Sequence, residues 1–81
     1  MGRFYFHLKD GDRIITDEDG LDLPDLDAAR REAILGAREL LADAIKAGKS
    51  KVPDALVIAD EAGRALEVVP LVDLLPEPLK K

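Results

Sequence analysis

Arg3-Phe4-Tyr5-Phe6-His7-Leu8 switches side-chain character at every residue, with Phe4, Phe6 and Leu8 in one set and Arg3, Tyr5 and His7 in the other. A strand points successive side chains to opposite faces. The first set is therefore expected to face the core and the second to face outward. Every aromatic residue of the chain, two Phe and one Tyr, lies in this segment together with the single His. The segment thus marks both the densest apolar material and the chemically most unusual surface.

Working outward, Asp10-Gly11-Asp12 is a turn signal, because an Asp-Gly pair suits a tight hairpin. Arg13 to Thr16 then reads as a second strand. Asp17-Glu18-Asp19-Gly20 breaks it as a turn or bulge, and Leu21 and Leu23 continue an alternating pattern up to Pro24. Asp25 is an N-cap candidate, and Asp27 adds negative charge to a first helical turn. From Leu26 to Ala47 there is no proline and little β-branching, and Gly48 is the natural stop. A helix over about 25–47 follows, with Leu26, Ala33, Ile34, Ala37, Leu40, Leu41, Ala44 and Ile45 on its apolar face. Gly36 beside that face fits close packing against a strand or a second helix. Ala28, Leu35 and Ala42 form a thinner apolar line opposite. Ala55 to Ala59 reads as a buried strand, Asp60 to Arg64 as a hairpin loop, and Ala65 to Val69 as the last strand.

The order β-β-α-β-β defines an α+β fold: a four-stranded, mostly antiparallel sheet with one long helix across one face. The inner face is expected to hold Phe4, Phe6, Leu8, Leu56, Ile58, Leu66 and Val68. The open face then carries Arg3, Tyr5, His7, Glu67 and Val69, with Val57 as a further candidate. Their stronger alternation favours the first and last strands as the central pair. Residues 1–75 form one domain, with 76–81 as a flexible tail.

Eighty-one residues without cysteine make one small domain with neither disulfide nor thiolate metal site. Chains of this size often gain stability by oligomerising, so a homodimer is a reasonable expectation. A net charge of −5 and no cluster of basic residues argue against nucleic acid. No apolar run approaches membrane-spanning length, and the N-terminus lacks a signal-peptide pattern, which points to the cytoplasm.

Catalysis would centre on His7, the one side chain that ordinarily titrates near neutrality. The lone Ser50 and lone Thr16 are not placed near it by any motif, and His7 with Glu67 on adjacent strands is the remaining acid–base pair to consider. Asp10, Asp12, Asp17, Glu18, Asp19 and Asp22 crowd six carboxylates into residues 10–22. They could gather a hard cation, but EF-hand spacing fails at Ile15 and Leu26. No cofactor, metal or catalytic set is therefore assigned.

The segments RFYFHLKDGD, DEDGLDLPDLDAARREA and VIADEAGRALEVVPLVDLL resemble a family of small bacterial proteins built on one domain of unknown function. The resemblance spans about residues 3–75 and implies a compact cytoplasmic domain. It carries over no activity, cofactor or catalytic residue. The functional expectation is a small non-enzymatic protein-interaction domain. Its contact surface is drawn from Arg3, Tyr5, His7, Glu67, Val69, Leu74 and Leu75, and its partner is another protein or a second copy. Leu71, Leu74, Leu75 and Leu79 alternatively cap the chain's own core. The second expectation is an antitoxin-like regulatory domain that neutralises a basic partner.

Overall fold

The structure, a computed structural model, describes residues 2–49 and 51–76. Strands β1 (Gly2–Asp10), β2 (Arg13–Ile15) and β3 (Leu21–Leu23) precede helix α1 (Leu26–Lys46), and β4 (Ala55–Ala59) and β5 (Ala65–Pro70) follow it. A 3-10 turn, Leu71–Leu74, closes the described chain. All strand pairs are antiparallel, in the order β2-β1-β4-β5, with β3 also paired to β1. The expected second strand is thus split into two pieces, which makes five strands.

Leu8 pairs with Ile15 and Phe4 with Leu21, so five residues, 16–20, stand opposite three, 5–7. The surplus loops out of the ladder between β2 and β3. Asp25 caps α1 as its sequence promised, its carboxylate accepting from the Ala28 amide at 2.8 Å. Gly48, at φ +71°, takes the left-handed conformation that ends the helix.

Phe4, Phe6 and Leu8 pack beneath the helix around a core of Ala29, Ala33, Ala37, Leu41, Leu56, Ile58 and Leu71. The helix therefore meets the sheet largely through alanine methyls. Ile34 is half-buried but lies outside that cluster, and Ile45 is 67% exposed, so the apolar face of α1 is narrower than its sequence suggested. Ala28, expected on the far side, is buried. Gly36 serves neither a strand nor a helix contact, because a Cβ there would meet nothing within 4 Å. Gly36→Ala should stabilise the fold by about 0.5–1 kcal/mol and raise Tm by about 4 °C in thermal unfolding. A lowered Tm would mean that the position needs glycine.

Two expectations about the sheet are corrected. The central pair is β1 and β4, and the last strand, β5, lies at the edge. Ala55–Ala59 is apolar throughout and nearly all buried, as a strand covered by neighbours and a helix must be, whereas one-sided alternation suits an edge. The second correction concerns the faces of β5. Leu56 pairs with Val69 and Ile58 with Glu67, so Glu67 and Val69 share the helix side. Leu66 and Val68 face outward, 38% and 52% exposed. The register slips between Ile58 and Ala59, a bulge that adds one residue to β5 near Leu66. A one-residue shift reverses every side chain beyond it.

The tail expected over 76–81 lies beyond the described residues from 77 onward, as does Leu79. Leu74 and Leu75 pack against the core, and Leu71 is 1% exposed. The C-terminal leucines within the described chain thus close their own domain.

Candidate functional site

The bare face of the sheet is built from the odd-numbered residues of β1. His7 pairs with Val57, which pairs in turn with Val68, and Tyr5 pairs with Ala59, which pairs with Ala65. Each row lies on one face, so the outer surface runs from an aromatic and basic margin on β1 to a small, apolar field on β4 and β5. The Tyr5 and His7 rings stack with centroids 6.4 Å apart and planes inclined by 21°.

The looped-out 16–20 segment is fastened to this margin, and Asp17 is its anchor. One Asp17 carboxylate oxygen accepts from the Phe6 amide at 3.1 Å, and the other accepts from the Asp19 and Gly20 amides at 3.1 and 3.3 Å. The carboxylate thus substitutes for the strand carbonyl that the loop removes from the edge of β1. The Asp17 amide donates to His7 Nδ1 at 3.0 Å. With Nδ1 accepting, a neutral His7 carries its proton on Nε2. Burial works against the Asp17 charge, but the Phe6, Gly20 and Asp19 amides and the neighbouring His7 outweigh it and hold the carboxyl below its ordinary value.

Gly20 completes the fastening. At φ +71° it takes a backbone form that other residues avoid. A Cβ there would fall 2.9 Å from Arg3 Cγ, 2.9 Å from Tyr5 Cε2 and 3.0 Å from the Phe4 carbonyl oxygen. Arg3 donates to the Asp19 carbonyl at 2.7 Å and to the Asp22 carboxylate at 3.2 Å. The loop therefore lies on Arg3 and Tyr5, while the Val57–Val68 field stays uncovered by any described segment.

The His7–Glu67 pair does not form. β4 separates their strands, and Glu67 is on the opposite face, where its carboxylate accepts from Arg30 Nε of the helix at 2.8 Å. Val69 is on that inner side as well, and Leu74 and Leu75 pack on the core. Of the expected contact residues, Arg3, Tyr5 and His7 are brought together on the open face. Ser50 lies outside the described residues. Among the described residues no three His, Asp or Glu side chains converge as a metal site. Two cavities formed by described residues lie away from His7. One, of about 350 Å³, is lined by Leu41, Val52, Pro53, Asp54, Val72 and Leu75. The other, of about 210 Å³, sits on the helix between Arg31 and Arg38. Among the described residues no helix is long and apolar enough to cross a membrane.

Sequence reasoning missed Asp17 as an anchor and Leu66 and Val68 as part of the outward field, while Val57 lies on the open face as expected. The signal for Asp17 was the Asp-x-x-Gly spacing, which lets one carboxylate bond amides two and three residues on.

These features define a small α+β domain with one helix on an antiparallel sheet and one face of that sheet open. The chain belongs to the family described as Domain of unknown function (DUF6894), whose model matches residues 3–72. No curated protein matches the chain. No solved structure matches it either.

Proposed function

We propose that this chain is a small non-enzymatic protein-interaction domain that self-associates through the open face of its sheet. The observation that carries this reading is the outward row from His7 across Val57 to the half-exposed Val68, beside the exposed Leu66. Val57, Val68 and the exposed Ala65 are small side chains, so a second sheet can approach to the ~10 Å of a packed pair. The expected occupant is a second copy, because the same shallow apolar field on both partners is self-complementary.

Sedimentation of the intact chain over a wide concentration range tests the proposal. Val68 is 52% exposed, so Val68→Glu should leave the fold intact. It should raise the dimer dissociation constant by at least about ten-fold, by placing charge in an apolar contact. A wild-type chain that stays monomeric near ~1 mM, far above the range of a specific dimer, would remove the proposal.

A further inference from the structure

The outer surface of α1, on the opposite side of the molecule from the open sheet face, carries a second feature that self-association does not use. Arg31, Ile34, Leu35 and Arg38 line an open depression of about 210 Å³ on the surface of this one helix. Leu35 is 53% exposed, and Ile34 packs outside the core cluster. The two apolar side chains thus form a small floor with a guanidinium at either end. The arginines are seven positions apart, which is two helical turns or about 10 Å along the axis.

Both arginines are left without an acidic partner among the described residues, although the chain has 17 carboxylates. The helix itself explains this. Ion pairs along a helix need a spacing of three or four residues. From Arg31 these steps reach Ile34, Leu35, Ala28 and Asp27, and Asp27 is already bonded to Arg30 at 2.6 Å. From Arg38 they reach Leu35, Ile34, Leu41 and Ala42. Glu32 and Glu39 sit one position further round and out of register.

We infer that the Arg31–Ile34–Leu35–Arg38 surface docks an acidic amphipathic helical segment of another protein. The segment would lay apolar side chains on Ile34 and Leu35 and set one carboxylate against each arginine. This is helix-against-helix recognition with charged ends. Charge decides against the other occupants. A second copy packed antiparallel through this surface would bring Arg31 against the partner's Arg38, like against like. An extended polyanion such as nucleic acid or an anionic bilayer would meet two cations on a chain of net charge −5.

The test uses the full chain and two blocked, alanine-based helical peptides. One carries Glu-Ala-Ala-Leu-Leu-Ala-Ala-Glu, and the other has both Glu replaced by Lys. In a fluorescence titration at low salt the Glu peptide should bind at least about ten-fold more tightly than the Lys peptide, a gap that narrows as salt rises. The double variant R31E/R38E should reverse the preference, and Leu35→Ala should weaken the Glu peptide. All three positions are exposed, and far-ultraviolet dichroism checks that each variant remains folded. Absent binding of the Glu peptide, equal affinity for both peptides, or indifference to R31E/R38E would overturn the inference. So would phosphatidylglycerol vesicles or single-stranded DNA binding through these arginines as tightly as the Glu peptide, or a change of oligomeric state in R31E/R38E.

Discussion

Leu71→Ala should lose about 3–4 kcal/mol of folding stability, the largest effect expected from a single truncation outside the central strands. The position looks peripheral in the chain, since it follows Pro70 and precedes residues near the C-terminus. Its side chain is nonetheless 1% exposed and belongs to the core cluster with Leu41, Leu56 and Ile58. The backbone fixes it there, because the Leu71 amide donates to the Asp54 carbonyl at 3.0 Å. Truncation forfeits the transfer free energy of three heavy atoms and leaves a void that a helix, a sheet and a short turn cannot all collapse to fill. A domain of this length has only about 4–12 kcal/mol in total, so the transition should move down by about 12–30 °C. Val72→Ala is the control: that side chain is 46% exposed and its loss should change stability by no more than about 0.5 kcal/mol. If denaturant unfolding gave the two variants the same stability, the 3-10 turn would not be part of the core.

Asp17→Ala should destabilise the chain by about 2–4 kcal/mol, because one substitution strips acceptors from three amides. The Phe6 amide suffers most, since it lies in a half-buried strand edge with no carbonyl opposite. Asp17→Asn keeps one acceptor oxygen and should fall between the variant and the wild type. The effect also has a pH signature. The folded-state pKa of Asp17 lies below its unfolded value, so its contribution is present in full above the unfolded pKa, about 4. That contribution is lost as pH falls through the folded value. Stability measured by urea unfolding from about pH 6 to pH 2 should therefore decline less steeply in Asp17→Asn than in wild type, with the difference confined to the region below about pH 4. Parallel profiles would show that the carboxylate is not held by its amide donors.

The strands and the helix were legible because their signals are local. Alternation about Tyr5 orients β1, and Asp25 and Gly48 bracket the helix. What the chain concealed was long-range. Leu66 and Val68 look inward on a simple alternation count, and the bulge opposite Ala59 reverses them, a slip set by pairing rather than by composition. The central place of β4 rests on which strands flank it, though its unbroken apolar run hinted at an interior position. Asp17 sat among six acidic residues weighed together as a cation cluster, and only the Asp-x-x-Gly spacing set apart the one whose carboxylate turns back onto the sheet. The aromatic margin was visible from Tyr5 and His7, while the apolar field beside it became visible only with the register of β5.

Ala29, Ala33 and Ala37, all at 1% exposure or less, are the treads on which α1 rests against the strands. A helix seated on methyl groups sits as near to its sheet as side chains permit, and that nearness makes variation at these positions one-sided. Glycine there would loosen the seat but could be accommodated, whereas a valine or leucine would act as a wedge and lift the entire rod. The seat against the sheet thus sets no limit on side-chain size along the helix's outward ridge, but descendants of this chain must preserve the smallness of the three hidden steps.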